Sequence, residues 1–334
     1  MRFLMFLIVT PLLAHLPKWA DEQIVGEISH FAPFSAEDVI TSYRAVQNEF
    51  CGLEANICLV TIKGGEVTFT PPSARTQFKA LEGIVKRHGL DDTQFLLTKL
   101  CERPLFLQHL SVPIFTLSKK KTNTQALLVP RELFDPIPAS KDTIPWERKI
   151  DRALFVGLVS RSIDNYYEWS FHPRCRLLLL KERLYPSVDG HFSLSERHHQ
   201  TSYHIKTALE ECHVTGPFIP PAEQGRYRFL LALDGDAAPR SLSWQLLSHS
   251  CPLVQESPYM SWISRGLKPN VHVVSFAADL MDLESQIAHL RAHPDLAQQV
   301  AEEGRLFAKE IFKQEVMEEY FVKLLRNYSL LLIK

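Results

Sequence analysis

Residues 225–276 read GRYRFLLALDGDAAPRSLSWQLLSHSCPLVQESPYMSWISRGLKPNVHVVSF, and their rhythm decides the fold. Phe229–Leu233 is an apolar run that stops at Asp234-Gly235-Asp236. That is the pattern of a strand buried on both faces and ended by a polar turn. A helical phase follows, with Leu242, Leu246 and Leu247 on one face and Arg240 or Ser241 near its start. A second apolar run, Cys251–Val254, leads to an aromatic, helix-like piece around Tyr259–Ile263. A third run, Val271–Phe276, closes the block. Strand, helix, strand, helix, strand is the order of a parallel sheet with crossover helices. Such sheets bind ligands at the carboxyl ends of their strands, where helix N-termini gather. Asp234–Ser241 is therefore the first place to expect a phosphate or a sugar nucleotide.

On the C-terminal side, Leu280, Leu283, Ile287 and Leu290 keep helical spacing. His293-Pro294-Asp295 reads as the cap and first turn of a helix reaching Ile311, and Val316–Leu332 as a last amphipathic helix. On the N-terminal side, Ala153–Val159 predicts a strand, and Arg174 and Arg176 stand at the head of a helix carrying Leu177–Leu180. The planar guanidinium fork suits a diphosphate; a surface ion pair is the alternative for each arginine. Residues 135–145, DPIPASKDTIP, form the best linker candidate.

Further back, Ser35 predicts the N-cap of a helix over 35–49, with Glu37 and Asp38 in its first turn. ICLVTIK and EVTFT flank Gly64-Gly65 as a hairpin. Gln77–His88 predicts an amphipathic helix. Val112–Leu117 predicts a strand that ends in Ser118-Lys119-Lys120-Lys121, read as a solvated lysine loop. His191, His198, His199 and His204 fall in a polar stretch without the spacing of a metal site.

The 334 residues suit two domains of roughly 150 residues each. A net charge of −1 argues against sequence-independent nucleic-acid binding, which needs a basic surface. Phe3–Leu16 carries no charge and follows Met1-Arg2. It is too short for a comfortable membrane span and suits the apolar region of a signal segment or a membrane contact. The alternative is an apolar first element docked on the fold. The six cysteines form no C-x-x-C pair, so no structural metal is expected. Cys51 and Cys58 either close a small loop or stay as separate buried thiols.

The ordered series Leu233-Asp234-Gly235, Trp244-x-Leu246-Leu247, Ser250-x-x-Leu253-Val254, Tyr259-x-x-Trp262, Leu267-Lys268-Pro269-x-x-His272 and Asp279-Leu280 resembles the family-90 glycosyltransferases. That family includes capsule-associated proteins, bacterial lipopolysaccharide glycosyltransferases and protein O-glucosyltransferases. The resemblance covers about residues 145–330 and implies an α/β fold of two Rossmann-like halves facing a cleft, the GT-B type. Beside the signal-like or membrane-contacting segment read over 1–20, it implies an acceptor-side domain over 21–140 and a nucleotide-sugar-binding domain over 141–334. The last helix is expected to pack back on the first domain.

The activity implied is inverting, metal-independent transfer of a hexose or pentose from a UDP-sugar to a hydroxyl of a glycan, lipopolysaccharide or protein. No cofactor beyond the donor is implied. Carried over residue by residue, Glu102 falls at the position of the base. Ser160, Arg161, Arg174, Asp234, Gly235, Arg240 and Ser241 fall on the donor side. Val156 stands where the family has an arginine. The signal-like N-terminus points to a membrane-associated, secretory-pathway or envelope location, with the cytoplasmic face of a membrane as the alternative.

Three alternatives stay open. Asp234-x-Asp236 is formally a D-x-D, an oxygen pair suited to magnesium or manganese. A non-catalytic relative binding a nucleotide or a glycan is the second. A dehydrogenase is the third, and the lack of any G-x-G-x-x-G after a strand counts against it.

Overall fold

The computed structural model describes residues 15–49, 57–98, 110–138, 142–158, 172–193 and 203–333. Two sheets organise them. Numbering only their strands in chain order, the first holds β1 (Ile57–Lys63), β2 (Glu66–Thr70), β3 (Thr93–Thr98), β4 (Ile114–Thr116) and β5 (Ala126–Leu128) in the order β2-β1-β3-β4-β5. β2, β1 and β3 are antiparallel neighbours, whereas β3, β4 and β5 run parallel. The β1–β2 hairpin forms as expected, because Gly64 and Gly65 both adopt positive φ, 57° and 79°, which a two-residue turn of this hand requires.

The second sheet holds β6 (Ile150–Gly157), β7 (Val188–Ser193), β8 (Thr215–Gly216), β9 (Tyr227–Ala232), β10 (Cys251–Gln255) and β11 (Val274–Phe276). All its pairings are parallel, in the order β8-β7-β6-β9-β10-β11. Counted within the sheet this is 3-2-1-4-5-6, the doubly wound Rossmann order. The strands are buried on both faces. Phe229, Leu231 and Leu233 enter one core cluster, with Val188, Leu253 and Phe276, while Leu230 packs on the other face with Leu154 and Trp244.

The expectation of an α/β fold with two sheet-centred halves thus describes the chain. The two halves share a core. Helix α1 (Lys18–Ile28) and the C-terminal helix, here α2 (Gln314–Ser329), pack together against the first sheet, although α2 follows the second sheet in the chain. Tyr328 stacks edge-on against Phe115 at 5.0 Å, and Gln23 donates to the Tyr320 hydroxyl at 2.8 Å. Trp19 of α1 packs against Trp262 and Phe307.

Several local expectations change. Tyr259–Met260 is not helical: it pairs antiparallel with Lys119–Lys120. The pairing with the distant Lys119–Lys120 sets its extended form; locally, Ser257 Oγ accepts from Tyr259 N and Ser264 Oγ from Ser261 N. The lysine run is not all solvated. Lys119 is buried, with Nζ 3.1 Å from Glu27 and donating to Ala126 O at 2.6 Å. The proline-rich connection is anchored at its end by the buried pair Asp142–Lys149, 2.6 Å apart. His191 lies in strand β7 and contacts Pro217 O; His198 and His199 lie outside the described residues. Cys58 is a buried free thiol in β1, and Cys51 lies outside the described residues. The helix expected over 77–88 divides at Lys79 into Arg75–Phe78 and Ala80–His88.

Candidate active site

In a sheet of this order the chain reverses direction between its first and fourth strands, and a crevice opens beyond their carboxyl ends. Here those strands are β6 and β9. Arg174 lies across that point. Its Nη1 donates to Leu158 O at 2.9 Å, just past β6, and its Nη2 to Leu233 O at 3.1 Å, just past β9. The guanidinium also lies over the Phe155 ring, 5.9 Å from its centre. Close approach explains the glycine that follows: a Cβ on Gly235 would stand 2.7 Å from Arg174 Nη2. Arg174 reaches the crevice from the first turn of the helix Pro173–Leu179.

His172 caps that helix, with Nδ1 accepting from Arg174 N at 3.4 Å. Burial, and then the positive charge of Arg174, push its pKa down to about 4, so the imidazole is neutral at pH 7.

Asp234 follows β9 and is buried. Its Oδ2 accepts from Ser257 Oγ at 2.5 Å, while Oδ1 is buried without a hydrogen-bond partner. Burial raises its pKa to about 6, against the opposing pull of Ser257, Arg174 and Lys121. Gln255, at the end of β10, accepts from Asp234 N and donates to Ala278 O, which ties together the loops beyond three neighbouring strands.

The donor-side residues expected from the sequence therefore divide. Arg174, Asp234 and Gly235 meet at the crevice. Arg240 lies further along the same turn, where its exposed guanidinium pairs with Asp135 of the first half. Ser241 precedes the helix Leu242–Leu247; its carbonyl accepts from Gln245 N at 2.9 Å, and its hydroxyl makes no capping bond. Glu102, Ser160 and Arg161 lie outside the described residues. Val156, which stands where the resemblance places the family's arginine, packs with Leu154, Leu230 and Trp244.

Beyond β9, β10 and β11 a cleft of about 590 Å³ opens between the halves; Arg240 and Ser243 line it, whereas Arg174, Asp234 and Gly235 lie beside it and are not part of its wall. Leu242, Val254, Ile263 and Leu267 give it apolar walls; Ser243, Ser257 and Ser264 supply hydroxyls; Lys121, Arg131 and Arg240 supply positive charge. An apolar pocket with a few placed polar groups is the ordinary form of a small-molecule site. Sequence reasoning missed Glu132 in this wall. It is buried, Oε1 accepting from Ser243 Oγ at 2.6 Å and Oε2 from Trp262 Nε1 at 2.9 Å. Only Trp262 gave a signal in the sequence. His172 was also missed, although histidine-proline before a helix is a readable cap. Among the described residues no group of three histidine, cysteine or acidic side chains is placed to hold a metal ion.

Comparison with known proteins bears on the same region. The sequence model of glycosyl transferase family 90 matches residues 135–334. The O-glucosyltransferase LpsA of Dichelobacter nodosus is 28% identical over 127 residues, 35% of this chain and 39% of that protein. Protein O-glucosyltransferase 3 of Mus musculus is 25% identical over 188 residues, 55% of this chain and 33% of that protein. The chain thus spans between a third and two fifths of the length of these two relatives. A solved structure of HepE from Anabaena, in complex with UDP-glucose, overlaps 51% of this chain and 47% of its own at 10% identity, with a TM-score of 0.34. So slight an overlap supports no conclusion about either chain.

Proposed function

The chain belongs to glycosyl transferase family 90, and from that membership we propose that it transfers a sugar from a UDP-sugar to a hydroxyl acceptor, bound where the two halves meet. The observation that carries the proposal is Arg174 bridging the carbonyls beyond β6 and β9, at the switch point of a 3-2-1-4-5-6 sheet. A cation fixed there faces the place where a diphosphate binds in doubly wound sheets. UDP-glucose is the first donor to test, because both relatives named above are O-glucosyltransferases.

In the reaction an acceptor oxygen attacks the anomeric carbon from the face opposite UDP. The bond from that carbon to the diphosphate oxygen breaks, and the configuration inverts. Glu102, by its resemblance to the family's base, takes the acceptor proton. UDP leaves with the bonding electrons, and the charge it gains is met by Arg174 and by N–H groups of the Asp234–Ser241 turn other than those of Asp234, Gly235 and Ala238, which are donated within the protein. Asp234 does not meet that charge directly; its carboxylate holds the turn through Ser257. The reaction as proposed needs no metal. The acceptor is a glycan, lipopolysaccharide or protein hydroxyl, and residues 3–16 are proposed to contact a membrane. Among the described residues no helix is long and apolar enough to cross one.

One observation favours a second reading, a relative that binds a nucleotide or glycan without turnover: Val156 lies in an apolar cluster, not at a charged wall.

Thermal melting against UDP, UDP-glucose and other nucleotides, with and without EDTA, tests the proposal. A ligand at a hundredfold excess over its Kd stabilises the fold by about 2.7 kcal/mol. The expected result is a shift with UDP that survives EDTA and is lost in Arg174→Ala. A shift abolished by EDTA returns the D-x-D to the mechanism. No shift with any nucleotide overturns the donor assignment. Retained affinity with unchanged turnover in Glu102→Gln removes Glu102 from the reaction.

A further inference from the structure

The turn that follows β9 is gripped along its length by the other half of the molecule. Ser118 Oγ accepts from Ala238 N at 3.3 Å, Asp135 pairs with Arg240, and Glu132 accepts from Ser243 in the helix that the turn leads into. Glu132 is the buried member of this set, and its second oxygen accepts from Trp262 Nε1. Trp262 is itself fully buried against Trp19 and Tyr320, elements of the first half's core. A change at Glu132 therefore reaches the donor turn through Ser243 and the shared core through Trp262.

We propose that Glu132 is a positioning residue, which fixes the Asp234–Ser243 turn in its donor-binding form by clamping Ser243 and Trp262 together. The proposal rests on the donor assignment made above. Both bonds on Glu132 come from uncharged donors, so its role is to accept two hydrogen bonds at a set separation; no proton needs to move. An amide of the same length serves that role: its oxygen accepts from the indole N–H, and its NH₂ donates to the Ser243 hydroxyl.

The test is steady-state kinetics with varied UDP-glucose, beside hydrogen exchange of the backbone amides of residues 242–247, for Glu132→Gln, Glu132→Ala and Ser243→Ala. Losing a hydrogen bond to a charged, buried acceptor corresponds to about a tenfold change or more. Glu132→Ala is expected to raise donor KM by about that factor, with a smaller change in kcat. It is also expected to speed exchange over 242–247. Ser243→Ala should show the same pattern more weakly, and it keeps the test open if Glu132→Ala does not fold. Glu132→Gln should stay near the wild type in both readouts.

Loss of kcat in Glu132→Gln with donor KM unchanged overturns the proposal, because the group would then be moving a proton. Wild-type KM and wild-type exchange in both alanine variants overturn it as well. If the unaltered protein binds no nucleotide, the donor assignment fails instead. In that case the exchange data alone judge the clamp: faster exchange in both alanine variants keeps it as a structural tie, and unchanged exchange ends it.

Discussion

Burial at the crevice disfavours the charged forms of both Asp234 and His172, and so moves their pKa values in opposite directions. Burial raises the Asp234 pKa from an ordinary 3.8 to about 6. Between those values the folded chain binds more protons than the unfolded one, so stability falls as pH rises through that window and the cost is full above pH 6. Asp234→Asn keeps an acceptor for Ser257 and removes the charge. It should be more stable than the wild type at pH 7.5, by up to ~3 kcal/mol, with the gain vanishing towards pH 4. Thermal melts across that range check this; a gain independent of pH would show that ionisation is not the cause. His172 behaves inversely. Its pKa lies near 4 when folded and 6.5 when unfolded, so stability falls as pH drops through that window. His172→Asn keeps a side-chain cap and should flatten this acid loss, read in the same melts. These residues also mark the limit of sequence reading. Asp-Gly after an apolar run is legible as a strand end, and Arg174 as a helix-start cation. Glu132 is not legible, because its two partners lie 111 and 130 residues away and no local pattern requires an acid there.

Elements were legible where their own residues determine them. Ser35 and Asp38 form a reciprocal cap: Ser35 Oγ accepts from Asp38 N at 3.2 Å, and Asp38 Oδ2 accepts from Ser35 N at 2.7 Å. The glycines at 64 and 65 set the hairpin in the same local way. The misread elements are those fixed by distant partners. Lys119, Lys120 and Lys121 are alike in sequence, yet Lys119 turns inward to Glu27 of α1 and the next two do not. That difference has a measurable consequence. Lys119→Met leaves Glu27 buried with its closest cation removed, and breaking one side of a buried pair costs about 3–5 kcal/mol. Burial is already the largest influence on Glu27, raising its pKa, with Lys119 the chief opposing charge. Lys120→Ala, at a half-buried position, should change stability by about 0.5 kcal/mol or less. Urea unfolding of the two variants decides the matter; equal midpoints would mean the lysine run is solvated throughout.

At the scale of the molecule, the periodicity of residues 225–276 carried the second sheet, because parallel strands buried on both faces write themselves as apolar runs. The joining of the halves was not written that way. The core around the first sheet draws α1 and α2 from opposite ends of the described chain, and local periodicity cannot state such pairings. α1 bears directly on the N-terminal segment. Leu12-Leu13-Ala14 and Lys18-Trp19-Ala20 are two imperfect signal-cleavage patterns, and the fold treats a cut after Ala14 and one after Ala20 differently. Ala20 is fully buried, and Trp19 packs on Trp262 and Phe307, so close to the chain at 266 that a Cβ on Gly266 would stand 2.4 Å from its ring. A chain beginning at His15 keeps this packing. One beginning at Asp21 loses the half-buried Trp19 ring and the buried Ala20, a loss of about 2 kcal/mol. The first should melt with the full-length protein; the second should melt lower, with weaker UDP binding, since Trp262 also carries one side of the Glu132 clamp. Equal melting and equal UDP affinity of the two truncated chains would show that α1 is an appendage, and would free the segment up to Ala20 for removal. A stability loss confined to the chain beginning at Asp21 would place any tolerated cleavage upstream of Trp19 and make α1 part of the working fold.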